Sequence, residues 1–198
     1  MPPFLGSDLL IGKKVRLARP TDDDIAAIAG WSQDLEYQRL LRRSMVYPGS
    51  VEEHRQWFAG MFKDEESFPF SIRTLVEDRL VGVLVIRDIF WQARHCSFFI
   101  GIGDPGERGQ GFGSDAVRVL LRYAFLEMNM HCVRLEVMAY NPEAVRAYEA
   151  AGFQMNGHQR AFVYRDGVYY DVLQMSILRE EWEALTSHPP VSYPKPEM

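Results

Sequence analysis

The chain has 198 residues, 47% apolar and 25% charged, with a formal net charge of −5. That is an ordinary globular composition, long enough for one cored domain or two small ones. The acidic balance argues against a general nucleic-acid binder, which needs a basic stripe, and is mildly compatible with a cationic substrate. No run is long and apolar enough to span a bilayer. Met1-Pro2-Pro3-Phe4 lacks the basic-then-apolar pattern of a signal peptide, so a cytoplasmic protein without a membrane partner is expected. Cys96 and Cys132 lie in apolar runs without metal-ligand spacing, which predicts buried thiols and no metal.

Taken in chain order, residues 13–18 alternate charged and apolar side chains and read as a first strand. Pro20-Thr21-Asp22-Asp23-Asp24 supplies a turn, an N-cap and early acids for a helix to about Ser32. Ser50 caps a second helix with Trp57, Phe58, Met61 and Phe62 on its apolar side. Residues 68–76, 79–87 and 93–101 are β-branched and aromatic runs, the first two separated by the hairpin-length break Glu77-Asp78. Residues 111–128 carry Val117, Leu120, Leu121, Ala124 and Met128 at helical spacing. A short strand over 133–138 precedes a helix over 141–150 with Asn141 at its N-cap, Pro142 in its first turn and Gly152 past its end. Two last strands, 153–164 and 168–178, flank the type I′-prone turn Asp166-Gly167. The order β α α β β β α β α β β predicts one mixed α/β domain over residues 1–187. A tail over 188–198 carries Pro189, Pro190, Pro194 and Pro196 and reads as an extended arm or disordered segment.

Arg108-Gly109-Gln110-Gly111-Phe112-Gly113 falls where a strand ends and a helix begins. Such a loop offers bare backbone N–H groups and the positive end of a helix dipole to a phosphate. A Walker loop needs a lysine after the glycines, and none follows. Gly101-Ile102-Gly103-Asp104-Pro105-Gly106 matches a dinucleotide fingerprint in letters, but its Asp-Pro demands a turn rather than a helix start. The third reading is the Arg/Gln-x-x-Gly-x-Gly/Ala loop of acyl-CoA-dependent transferases, with Arg108, Gly111 and Gly113 in register.

Downstream, Asn141-Pro142-Glu143-Ala144-Val145-Arg146-Ala147-Tyr148-Glu149-Ala150-Ala151-Gly152-Phe153 resembles the Asn-x-x-Ala/Ser-x3-Tyr-x3-Gly-Phe segment of the GNAT N-acyltransferase superfamily. The separation from the glycine loop, the strand order and the closing hairpin agree, and the resemblance covers roughly Lys13 to Trp182. Within the superfamily it looks like the branch of the ribosomal-protein alanine (RimJ/RimL-like) and polyamine acetyltransferases. The resemblance implies a central mixed, mostly antiparallel sheet flanked by helices. It also implies acetyl-CoA as donor and direct transfer to an amine of a protein N-terminus or small molecule.

On that resemblance the pyrophosphate lies on Gly109, Gln110, Gly111, Phe112 and Gly113, with Arg108 as a nearby cation and Ser114 adding a hydroxyl. The pantetheine pairs with the backbone of Phe99, Ile100 and Gly101, and Asn141 and Ala144 lie beside it. Tyr148, two helical turns after Asn141, is the candidate acid for the departing sulfur. For the base, relatives carry a glutamate where this chain has Ser97; a serine is no base at pH 7 but can hold a water. Glu36, Asp88, His95 and Glu136 are the other candidates. The aromatic segment 37–47 with Trp57, Phe58 and Phe62 is expected on the acceptor side, with Trp91 near the cleft. A homodimer is compatible with the sequence. A CoA-binding regulatory module and a transferase of longer acyl chains stand as alternatives.

Overall fold

A computed structural model describes residues 8–186; the expected tail over 188–198 and the first seven residues lie outside them. One seven-stranded sheet runs in the order β1-β2-β3-β4-β5-β7-β6. Its strands are β1 Val15–Ala18, β2 Phe68–Thr74, β3 Leu80–Phe90, β4 His95–Ile102, β5 Cys132–Met138, β6 Gln154–Arg165 and β7 Val168–Leu178. Every neighbouring pair is antiparallel except β4 with β5.

Side chains of β3 alternate between two cores, as a two-residue period requires. Leu84 and Ile86 face α4 (Phe112–Arg122), whose Leu120 and Leu121 are buried against them. Val83 and Val85 face the other way, toward Ile25 and Ile28 of α1 (Asp22–Trp31) and Phe58 of α3 (Val51–Met61). Capping boxes at Thr21 and Ser50 start α1 and α3 where the sequence places them. The turn after β6 has positive φ at both Asp166 (49°) and Gly167 (84°), the requirement of a type I′ hairpin.

Two helices depart from the expected order. Between α1 and α3 lies α2, Leu35–Leu41, capped by Asp34, whose side chain accepts from Tyr37 N at 3.1 Å. It is only seven residues and has no repeating apolar stripe, so its sequence carries little helical signal; tertiary bonds hold it instead. After β7 comes α6, Arg179–Thr186, whose buried Trp182 stacks on Phe125 with ring centroids 5.2 Å apart. The long helix expected over 111–128 is α4, continued by a π turn over Tyr123–Glu127. α5, Pro142–Glu149, follows β5.

Candidate active site

The parallel pair β4–β5 is where the sheet opens. Its register holds only for His95↔Cys132, Cys96↔Val133 and Ser97↔Arg134, although both strands continue. Beyond Ser97, β4 keeps β3 as its partner, through Phe99↔Val85, Ile100↔Leu84 and Gly101↔Val83, while its β5-facing edge is left without a strand. A cleft of about 300 Å³ lies at that opening, bordered by Ile100, Gly101, the glycine loop, Asn141, Ala144 and Tyr148.

The loop presents bare backbone to the cleft. Gly109 and Gly111 have φ of +75° and +84°, a backbone state that strains any residue with a Cβ. Gly111 is also the N-cap of α4 and makes no side-chain cap. Among the described residues, no backbone acceptor takes the N–H groups from Gly109 to Ser114. Gly111, Phe112, Gly113 and Ser114 border the cleft, whereas the Gln110 side chain folds back to donate to Gly106 O at 2.8 Å.

Arg108 borders the cleft, and its guanidinium is already bonded. Its Nε donates to Ile102 O at 3.2 Å and its Nη2 to Gly103 O at 3.0 Å, with Asp34 at 3.4 Å. It stitches the loop to the end of β4 and to the cap of α2. The cation at the loop's outer rim is Lys14, whose Nζ donates to Gln110 O at 2.7 Å. It comes from the start of β1, far away in sequence, so no local pattern could have announced it.

Asn141 Oδ1 accepts from Ala144 N at 3.2 Å, capping α5, which leaves its amide N–H groups for the cleft it borders. Tyr148 is half-buried and packs edge-on against Phe98 and Phe153, with centroids 6.0 and 5.9 Å away. Burial pushes its phenol up to about 12, because the phenolate would be poorly solvated there.

Tyr37 was expected only as part of an aromatic segment, and the structure gives it a sharper place. It is 5% exposed, yet its hydroxyl has no hydrogen-bond partner. Burial raises its pKa, so the phenol stays protonated. It borders both the 300 Å³ cleft and a second cavity of about 560 Å³ on the α1–α3 side of the sheet. A Cβ on Gly101 would stand 2.5 Å from the hydroxyl. A buried donor without an acceptor is costly and invites a ligand.

The base candidates divide. Glu36 is exposed on α2 and borders none of these cavities, because the helix the sequence did not reveal turns it outward while turning Tyr37 and Gln38 inward. Ser97 donates a short hydrogen bond to Asp88, and both line a third cavity of about 470 Å³ with Glu136. Glu136 pairs with Arg43 and accepts from Gln159 at 2.8 Å. His95 lies 2.7 Å from Arg134 through Nδ1, and burial first, then that guanidinium, lowers its pKa. Phe99 faces the 560 and 470 Å³ cavities rather than the 300 Å³ cleft. Trp57 lines the 560 Å³ cavity, but Phe58 and Phe62 belong to the α1–α3 core. Trp91 is 47% exposed at the turn after β3 and lines none of these three cavities.

An opened parallel pair with a bare-backbone loop beside it defines an acyl-CoA-dependent transferase. Residues 14–154 match the Acetyltransferase (GNAT) domain, and the chain belongs to that family of N-acetyltransferases. Among its relatives is the spermidine N(1)-acetyltransferase of Vibrio cholerae, 34% identical over 113 residues, which are 56% of this chain and 65% of that one. A Bacillus subtilis N-acetyltransferase of the SPbeta prophage, YokL, is 28% identical over 71% of this chain and 77% of its own length. The crystal structure of the V. cholerae spermidine N-acetyltransferase with CoA and spermine superposes with a TM-score of 0.78 at 26% identity, covering 85% of this chain and 97% of that one. Among the described residues no helix is long and apolar enough to cross a membrane.

Proposed function

We propose that a single catalytic domain over residues 1–187 transfers the acetyl group of acetyl-CoA directly to a primary amine, with the opened β4–β5 pair as the donor slot. The observation that carries this reading is the convergence of unpaired N–H groups, the Asn141 amide and the Tyr37 and Tyr148 hydroxyls on one cleft. These groups fit the donor. The loop from Gly109 to Ser114 and Lys14 hold the pyrophosphate, and the free edge of β4 at Ile100 and Gly101 meets the amide-bearing arm.

In the reaction the amine nitrogen bonds to the thioester carbon and the C–S bond breaks. One proton leaves nitrogen and one reaches sulfur. Tyr148, with its pKa pushed up to about 12, is a phenol at every physiological pH. Against a thiol of about 8.5, complete proton transfer is uphill by about 3.5 units, or about 5 kcal/mol. Burial of the sulfur narrows that gap by raising its own proton affinity. Tyr148 therefore acts first as a hydrogen-bond donor to the developing thiolate and second as its acid.

On the other side of β4, Ser97 donates a hydrogen bond to the Asp88 carboxylate and keeps its oxygen lone pairs to accept from a water. A water held there passes the amine's proton to Asp88, which supplies the carboxylate that position 97 lacks. The test is free-thiol release from acetyl-CoA with a panel of amines, spermidine included because the V. cholerae relative is named for it. Release with at least one amine is expected. Tight CoA binding without release from any amine would instead identify a CoA-responsive regulatory module, and a large preference for succinyl-CoA a transferase of longer chains.

A further inference from the structure

The walls of the acceptor side carry an unexpected charge. The 560 Å³ cavity has aromatic sides, Trp57, Phe99 and Phe162, and its charged lining consists of Arg42, Arg43 and Arg87. Its other titratable groups are His54 and the phenol of Tyr37, and no carboxylate lines it among the described residues. The adjoining 470 Å³ cavity shares Arg43 and Arg87, adds Arg134, and brings Asp88 and Glu136. Both of these acids are already engaged, Glu136 by Arg43 and Asp88 by Ser97 with Arg87 3.6 Å away. Arg42 makes no ion pair among the described residues.

The arginines are held in place. Arg87 lies over the Phe99 ring at 5.3 Å and Arg43 over Phe162 at 5.7 Å. The segment bearing Arg42 and Arg43 is pinned through its carbonyls by Arg165, which donates to Arg42 O at 3.1 Å and Ser44 O at 2.8 Å. A polycation entering such a cavity would meet like charge first, and the acid of the neighbouring pocket, Glu53, is already engaged by the Ser50 N–H. An acceptor that brings its own anion would satisfy Arg42, which, unlike Arg43 and Arg87, has no ion pair among the described residues.

Resting on the acetyltransferase reading, we propose that the acceptor is an α-amine with a carboxylate close by and an apolar or aromatic body. It lies between Trp57, Phe99 and Phe162, with its carboxylate on Arg42. The weak base agrees with the peptide member of this class. A peptide α-amine has a pKa of about 7.7–8.0 against about 10.4 for a lysine-like amine, so much more of it is already neutral at pH 7.5.

The experiment compares kcat/KM by thiol release within matched pairs: phenylalanine against phenethylamine, and an Ala-Asp-Glu peptide against Ala-Lys-Lys, with spermidine as the polycation. At least a tenfold preference for the acidic member is expected in one pair. The pair that shows it tells a free amino acid from a peptide N-terminus. Arg42→Glu is expected to cut that preference at least tenfold while the Kd for CoA, which reports an intact fold, is unchanged. Spermidine or the carboxylate-free members leading the panel would overturn the acceptor class alone. A preference that survives Arg42→Glu would overturn the assignment to Arg42. No release with any amine would overturn the transferase reading and this inference with it.

Discussion

On the proposed reading, the two sides of β4 recognise their partners by different means. On the donor side, the loop over 109–114 and the free strand edge present backbone, so the ligand meets N–H and C=O groups whose positions are fixed by φ angles and strand register. On the acceptor side, β3 and the segment after α2 present side chains, among them the guanidinium groups of Arg43 and Arg87 over aromatic rings. Backbone recognition tolerates almost any neighbouring sequence provided the glycines remain. Side-chain recognition changes with a single substitution. A shared donor and divergent acceptors are what this division of labour permits.

The contrast can be broken most severely at Gly111. With φ at +84°, Gly111→Val strains the loop by more than about 1–2 kcal/mol and pulls the N–H groups off their ligand. We expect a 100-fold or greater loss of CoA affinity by calorimetry, with the folded structure retained by circular dichroism. Next in size, Tyr148→Phe removes the donor to sulfur and is expected to lower kcat about 100-fold with little change in CoA affinity. An unchanged kcat would end the acid role.

Tyr37→Phe sharpens the boundary between the two sides. Loss of a buried hydroxyl without a partner is expected to raise the stability of the ligand-free protein by about 1 kcal/mol in urea unfolding, while kcat/KM falls about tenfold. A purely structural hydroxyl would move only the first quantity.

An effect outside the neutral pH range lies beneath the site, at Cys96. Burial raises its thiol from 9.0 up to about 12. A folded pKa above the unfolded one contributes stability that is complete below about pH 9 and is lost as pH rises toward 12. That decline should approach at most about 1.4 kcal/mol per pH unit and be shallower in Cys96→Ala.

The parts legible in the sequence were those whose signal is local. Gly109, Gly111 and the Asp166-Gly167 turn are demanded by positive φ, and only a few residue types meet that demand. Asn141 and Tyr148 sit on one helix at a spacing that brings them to one cleft. What stayed hidden was long-range. α2 has a single Asp cap; Gln38, donating to Ser32 O and Tyr47 O, and Arg39, paired with Asp166 at 2.8 Å, fasten it from outside its own seven residues. With α2 unread, Glu36 looked as available as Tyr37. For Arg108 the position beside the loop was evident, but not its bonds to two β4-end carbonyls, nor the arrival of Lys14 from just before β1.

The gap beyond Ser97 and Arg134 has a further consequence, for the lifetime of the protein rather than its turnover. A sheet whose missing rung is supplied by a metabolite is more cohesive when that metabolite is abundant: at a concentration 100 times its Kd, a ligand specific for the folded state adds about 2.7 kcal/mol. Survival under heat or proteolysis would then follow the supply of acyl donor, making the enzyme's abundance a record of the metabolic state it serves.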